Sequence, residues 1–166
     1  MKRAVWIWEL FGFALTSLVG TLLHFMYDWL GESVLIAPFS GVNESTWEHM
    51  KLLFWPMLFF AVLQSFFFKD YENFWCVKLR GTLLGLGLIP LIFYTYNGAI
   101  GKSPDFVNIS IFFISAAIAY VYETRALIRD EPCEHKKLAI FTLAAIGILF
   151  TVFTFCPPSL NLFRVP

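Results

Sequence analysis

The sequence predicts an all-α fold, a polytopic bundle of transmembrane helices, and two observations carry this prediction. Of the 166 residues, 58% are hydrophobic and only 14% are charged, whereas soluble domains carry roughly 25% charged residues. The apolar residues also form long runs without alternation, near the ~20 residues that a spanning helix needs. A soluble fold of this composition would lack the polar surface to cover its core, so we expect the lipid bilayer to be the main partner.

Five segments meet this length requirement, and they make residues 1–166 a single transmembrane domain. The predicted spans lie at about residues 4–27, 47–68, 79–100, 106–124 and 138–156. The first run follows two basic residues, as in a signal peptide, but it is longer than the usual apolar core of about 7–15 residues and lacks a clean cleavage site. We therefore interpret it as a retained span.

The basic residues predict the orientation of the bundle. With the N-terminus inside, nine of the twelve fall on the cytoplasmic side, and the other three, Lys51, Lys102 and Arg164, fall outside. Cytoplasmic loops are enriched in lysine and arginine. The sequence therefore predicts a multi-pass cell-membrane protein with its N-terminus inside and its C-terminus outside.

The charge balance and the cysteines bound the possible partners. Twelve basic and twelve acidic residues give no net charge, which argues against a nucleic-acid partner. Three widely spaced cysteines suggest neither a disulfide framework nor a zinc ribbon.

Small residues recur at three- and four-residue steps, around Gly12 and Gly20 in the first span and Gly81 and Gly85 in the third. This spacing is typical of close helix packing in lipid. Such stripes could also hold a homo-oligomer or a membrane-complex partner.

Glu9 and the loop between the first two spans are the unusual features of the first third of the chain. An acid a turn or two inside a span is costly unless it is neutral or paired. We expect Glu9 to reach the inner surface or to pair with Lys2 or Arg80, and a proton-carrying role is the alternative. The loop at 28–46 has an apolar middle, Val34–Phe39, so it should lie at the interface or form a re-entrant element over the helix ends.

The most polar stretch beside a long apolar run is Val42–Lys51, and it has two interpretations. In the structural one, Ser45 and Glu48 form a capping box: the serine accepts from a first-turn N–H and Glu48 reaches back to the Ser45 N–H. Lys51 then pairs with Glu48 at i,i+3. This interpretation leaves Asn43, Glu44 and His49 unexplained.

In the functional interpretation the helix starts at Asn43, which places Glu44, Glu48 and Lys51 on one face. His24, at the same predicted end of the first span, could complete a carboxylate and imidazole cluster. We therefore predict catalytic roles for Glu44, Glu48 and His49, and a possible divalent-metal site at His24, Glu44 and Glu48. Without a metal, a histidine oriented by a glutamate could act as a general base. The predicted ligand-binding residues are Asn43, Lys51, Asn97 and Arg164.

Two short sequences carry a resemblance to a known family. The run Asn43–Leu52 and the ending Phe153-Thr154-Phe155-Cys156-Pro157-Pro158 resemble motifs of a bacterial domain-of-unknown-function family of small polytopic membrane proteins. This resemblance covers nearly the whole chain. It implies a compact helical bundle in a bacterial cytoplasmic membrane, and it brings no known activity, cofactor or catalytic residue.

The sequence therefore leaves two functions open, and it does not determine whether the protein is an enzyme. The first is a small membrane protein with a polar site on its extracytoplasmic side, suited to metal binding or acid–base chemistry. The alternative is a non-catalytic transporter or membrane-complex subunit, in which the polar stretch is a helix cap and a packing network.

Overall fold

The computed structural model describes residues 2–165, which form five α-helices and one short 3-10 helix, with no strand in that range. The helices are α1 (Lys2–Trp29), α2 (Thr46–Ser65), α3 (Phe74–Ala99), α4 (Asp105–Arg129) and α5 (Lys136–Phe155), and the 3-10 helix is Asn161–Phe163. The all-α prediction is confirmed, and each predicted span matches one helix apart from a few residues at its ends. We call the end of the bundle where α1 begins the proximal end, and the end where α1 finishes and α2 begins the distal end.

Four of these helices, α1, α3, α4 and α5, are long and apolar enough to cross a membrane, which indicates a membrane protein. The central helix α2 is not among them, although the sequence predicts five spans. It contacts all four other helices, and its polar residues Glu48, Lys51 and Gln64 are buried against protein. Polar groups within a bundle normally face other helices rather than lipid, so a central helix can be less apolar than its neighbours.

The small residues of α1 and α3 are packed inside the bundle. A side chain at Gly12 would overlap Phe60 and Tyr120, and one at Gly20 would overlap Phe112. Gly81 and Gly85 of α3 lie equally close to side chains of α4 and α2. The predicted packing role of these residues is confirmed, and the stripes are used between helices of the same chain.

A buried group of charges links four helices near the proximal end, and we call Glu9, Gln64, Lys78 and Glu123 the proximal ionic cluster. The Lys78 Nζ donates to Glu9 Oε1 at 2.8 Å and to Glu123 Oε2 at 2.6 Å. Gln64 Nε2 donates to Glu9 Oε1 at 2.8 Å. All four residues are at most 3% exposed. The prediction that Glu9 reaches the inner surface or pairs with Lys2 or Arg80 is wrong. Glu9 is buried, and its partner is Lys78, whose side chain is buried within the bundle.

The cysteines differ from the prediction in one respect. Cys76, in the first turn of α3, and Cys133, in the loop between α4 and α5, form a disulfide with their Cα atoms 5.7 Å apart. The expectation that the cysteines form no disulfide is therefore wrong, because folding brings together two residues that are 57 positions apart. Cys156 is free and exposed at the distal end.

The loop between α1 and α2 folds back over the distal end of the bundle, as its apolar middle predicts. Ser40 is buried, donates to the Leu23 carbonyl and accepts from the Tyr27 N–H. The carbonyl oxygens of Ala37 and Pro38 accept from Lys51 Nζ and Trp55 Nε1 at 2.9 and 2.8 Å. These bonds fix the loop against both helices and so position the residues that follow it.

Candidate functional site

The start of α2 determines where the polar side chains of the distal end point. Ser45 is the N-cap, and its Oγ accepts from the Glu48 N–H at 3.4 Å. Asn43 Oδ1 accepts from the Ser45 N–H at 2.8 Å, which closes a turn just before the helix. The helix therefore begins at Thr46, and the functional interpretation that started it at Asn43 is wrong. Glu44 consequently belongs to the loop and not to α2.

Glu48 belongs to a buried ion pair. Its Oε2 accepts from Lys51 Nζ at 2.7 Å and from the Val42 N–H at 2.9 Å. Lys51 is fully buried and also donates to Thr154 Oγ1 at 2.8 Å. The pair therefore joins the α1–α2 loop, α2 and α5. These contacts are those of the structural interpretation, except that Glu48 reaches the Val42 N–H and not that of Ser45.

Three potential metal ligands meet at the distal end, one each from α1, the loop and α2. They are His24, Glu44 and His49, and we call them the His/Glu cluster. One ligand atom from each residue lies within 4.8 Å of the other two. Each Nε2 is 3.6 Å from a different oxygen of Glu44. Of the predicted metal set of His24, Glu44 and Glu48, the first two lie in this cluster, whereas Glu48 is paired with Lys51 and His49 lies beside Glu44 instead.

The contacts of the His49 ring indicate which tautomer the neutral imidazole adopts. Its Nδ1 lies 2.9 Å from the Ser45 carbonyl oxygen, and a carbonyl oxygen can only accept. In the neutral ring, Nδ1 therefore carries the proton and Nε2 presents a lone pair to the Glu44 carboxylate. Two acceptors that face each other can be bridged by a proton on either group, by a water molecule that donates to both, or by a metal ion. Metal-binding histidines commonly donate their second N–H to a backbone carbonyl in this way.

The spacing and chemistry of the cluster fit a metal ion. Zn²⁺ binds nitrogen and oxygen ligands at about 2.0–2.2 Å, and two such bonds at a tetrahedral angle place the ligand atoms roughly 3.3–3.5 Å apart. The histidine-to-glutamate distances are 3.6 Å, each to a different Glu44 oxygen, and one ligand atom per residue lies within 4.8 Å of the other two. A bound ion would therefore draw the three residues slightly closer together. Two histidines and one carboxylate are also a ligand set found in catalytic zinc sites, whereas structural sites use four protein ligands. A metal ion held by these three residues alone would keep a fourth coordination position free.

A cavity of about 630 Å³ opens beside the cluster, between the distal half of α1 and the start of α4. His24, Glu44 and His49 all line it. A ligand in the cavity therefore has direct access to the cluster. Glu44 and His49 also line a separate niche of about 20 Å³, which is large enough for one water molecule, since a water needs at least about 10–15 Å³.

The four predicted ligand-binding residues have different positions. Asn97 lines the cavity, and its Oδ1 accepts from the Ser103 N–H at 2.9 Å, which fixes the α3–α4 loop. Asn43 and Lys51 are engaged in the turn and the ion pair described above. Arg164 is exposed in the C-terminal tail, where Phe163 packs against Trp47 with the ring centres 4.6 Å apart. The neighbouring Val165, and not Arg164, lines the cavity.

Sequence reasoning missed two groups of residues. Lys78 and Glu123 complete the proximal ionic cluster, and the signal was present, since a lysine and two glutamates each lie a turn or two inside a helix. Lys102 and Asn108 line the cavity near the His/Glu cluster. Their polar character gave no signal, because polar residues are common at helix ends.

Comparison with known proteins agrees with the resemblance found in the sequence. The model of a family of unknown function, DUF6512, matches residues 2–165. No curated protein and no solved structure matches the chain. The match confirms the predicted resemblance to a domain-of-unknown-function family and its extent over nearly the whole chain.

Proposed function

Since the chain belongs to DUF6512, a family of unknown function, we propose its function from the geometry of its own residues. We propose that it is an integral membrane protein that binds a divalent transition-metal ion through His24, Glu44 and His49. The observation that carries this proposal is the meeting of three ligand atoms, from three separate segments, within 4.8 Å of one another.

The free coordination position and the adjoining cavity favour a catalytic over a structural site. A Zn²⁺-class ion held there would act as a Lewis acid on a carbonyl or phosphoryl oxygen of a molecule in the cavity. The residues of this chain supply the rest. The loop bonds of Ser40 hold the end of α1, the Ser45 carbonyl orients the His49 ring, and the Glu48–Lys51 pair fixes the first turn of α2.

Metal titration of the purified protein tests the proposal. The protein should bind Zn²⁺ at one site, and His49→Ala should weaken the affinity by about 100-fold or more, because loss of even a supporting hydrogen bond costs roughly 10–100-fold. Binding should also weaken on acidification, since histidine ligates only when it is unprotonated. Isothermal titration calorimetry, and the visible spectrum with Co²⁺ in place of Zn²⁺, measure both effects.

The third histidine of the chain provides a matched control. His135 is exposed and precedes α5 at the proximal end, so His135→Ala should bind Zn²⁺ as the unchanged protein does. Equal affinities of the His49→Ala, His24→Ala and unchanged proteins would contradict the metal site. They would leave the Glu44 carboxylate and the two imidazoles as an acid–base group.

We further propose that all five helices cross the membrane, with the distal end outside the cell. In support, the positive-inside rule favours the proximal end as cytoplasmic, because the loops and helix ends there hold most of the basic residues. The central position of α2 accounts for its lower hydropathy within such a bundle.

Labelling of Cys156 tests this orientation. The residue is free and exposed at the distal end, so a membrane-impermeant maleimide should react with it in intact cells. Cys156→Ser should abolish the labelling. Reaction that appears only after the membrane is permeabilised would show that the distal end faces the cytoplasm. The Cys76–Cys133 disulfide at the proximal end would then lie outside the cell, in the oxidising surroundings where disulfides persist.

The alternative function, a non-catalytic subunit, receives less support. It relied on the small residues of α1 and α3 as association surfaces, and these pack against side chains of the same chain at Gly12, Gly20, Gly81 and Gly85. A homo-oligomer or a membrane-complex partner would therefore need a different surface.

A further inference from the structure

The cavity beside the His/Glu cluster has two chemically different zones. Polar side chains line the zone at the helix ends, where His24 of α1 lies opposite Asp105 and Asn108 of α4. Apolar side chains line the deeper zone, and they are Leu52, Ile109, Phe112 and Phe113. From Asp105 to Phe113 the helix rises about 12 Å. Polarity therefore falls along the axis of the bundle, as it does from the surface of a bilayer to its core.

One wall of this cavity opens to the surroundings of the bundle. Phe25 of α1 and Ile109 of α4 both line the cavity, yet they are 45% and 57% exposed. Leu22 and Phe106, which flank this opening on the same helices, are exposed as well. Large apolar side chains of membrane helices face lipid, so this wall opens sideways to acyl chains. A molecule can therefore enter the cavity from the bilayer without crossing the polar zone.

With a metal ion at the His/Glu cluster, the polar zone would favour an anionic head group. Lys102 is exposed and is the one lysine or arginine among the described lining residues, which also include the carboxylates of Glu44 and Asp105. Asn97 is engaged with Ser103 through both its oxygen and its nitrogen, whereas Asn108 is engaged only through Oδ1. Lys102, Asp105, the Asn108 amide nitrogen and the His/Glu cluster are therefore the groups left to bind a ligand. A metal ion at the cluster would add positive charge, which attracts carboxylates and phosphates. The volume of about 630 Å³ lies in the range that buries a drug-sized molecule.

We infer that the cavity binds a single-chain amphiphile from the bilayer, with its carboxylate or phosphate head at the His/Glu cluster and Lys102. Its alkyl chain lies between α1 and α4, against Ile109, Phe112 and Phe113. The position of the head group rests on the proposed metal site, whereas the position of the chain does not. This inference names the substrate class of that site.

Photo-crosslinking in nanodiscs of a zwitterionic lipid tests the inference. Two probes carry the same alkyl chain with a diazirine at mid-chain, one ending in a carboxylate and the other in a phosphate. Mass spectrometry should locate the adducts on the α1 segment around Phe25 and the α4 segment 109–113. The probe that labels more strongly shows whether the ligand has a carboxylate or a phosphate head group.

Two bulky substitutions, one on each wall of the cavity, should block this labelling. Thr21→Trp and Ile109→Trp change lining residues that do not belong to the His/Glu cluster, and each should lower adduct formation about tenfold, equivalent to one factor of ten in affinity. Ile114→Trp is the matched control, because Ile114 is 48% exposed on α4 and is not a lining residue. It should leave the labelling unchanged.

The outcomes separate this inference from the proposed function. Adducts spread evenly over the lipid-facing helices, or labelling that neither cavity substitution reduces, would overturn the amphiphile site. Zn²⁺ titration of the same samples reports on the metal site independently. Adducts confined to the cavity in a protein that binds no Zn²⁺ would support the amphiphile site and overturn the metal site.

Discussion

Lys78→Met is expected to prevent stable folding, because it removes the only cation from the proximal ionic cluster. Glu9 and Glu123 would remain at most 3% exposed without the Nζ that both accept from at 2.6 to 3.0 Å. Breaking a buried ion pair by removing one partner costs about 3–5 kcal/mol, a large part of the stability of most proteins. The variant should elute as aggregate from size-exclusion chromatography in detergent, or melt at a much lower temperature.

A control and a rescue make this expectation specific to the cluster. Lys136→Met changes an exposed lysine at the start of α5 and should leave the melting temperature nearly unchanged. The triple variant Glu9→Gln, Lys78→Met and Glu123→Gln removes all the charges together and should recover much of the stability, since uncharged replacements of whole buried pairs are often tolerated. A Lys78→Met protein as stable as the unchanged one would show that the three charges do not depend on one another.

Glu48→Ala is expected to separate folding from metal binding at the distal end. The substitution leaves Lys51 fully buried with its ammonium paired only to the Ala37 carbonyl and the Thr154 hydroxyl. An uncompensated buried charge should lower the free energy of unfolding by about 3–5 kcal/mol. Zn²⁺ affinity at a temperature where the variant is folded should fall far less than in His49→Ala, because Glu48 is not a member of the His/Glu cluster and supports it only through the Val42 N–H and the first turn of α2.

Thermal unfolding and Zn²⁺ titration of the same variant measure the two effects. Glu134→Ala, at an exposed glutamate of the α4–α5 loop, is the matched control and should change neither. Combining Glu48→Ala with Lys51→Met should restore part of the stability, since no unpaired charge then remains. A variant of normal stability that has lost Zn²⁺ binding would return Glu48 to the predicted ligand set and would contradict the structural role argued above.

The sequence predicts the helices well because each is a long apolar run with distinct ends. It also predicts the side of the bundle on which His24, Glu44 and His49 gather, since helix order alone places the end of α1 beside the start of α2. Which carboxylate joins the two histidines depends on finer detail. From their spacing, Glu44 and Glu48 are equally plausible neighbours of the histidines. The buried Lys51 pairs with Glu48, so Glu44 is the carboxylate that faces the imidazoles.

Long-range pairings are the part that the sequence does not determine. Glu9 could reach several basic residues, and only the packing of both α1 and α3 against α2 and α4 brings Lys78 to it. Cys76 and Cys133 are joined because the chain returns to the proximal end after α4. The cavity depends on the distance between α1 and α4 near their distal ends. The sequence pattern of either helix alone does not predict that distance.

The two ends of the bundle are held by different contacts. At the proximal end, the ionic cluster and the disulfide join α1, α2, α3, α4 and the α4–α5 loop at one level. At the distal end, the Glu48–Lys51 pair joins the α1–α2 loop, α2 and α5, and its bonds do not reach α4. His24 of α1 lines the cavity between α1 and α4 there. A ligand that widened this cavity would therefore displace His24 relative to Glu44 and His49, and the proposed metal site would respond to occupancy of the cavity.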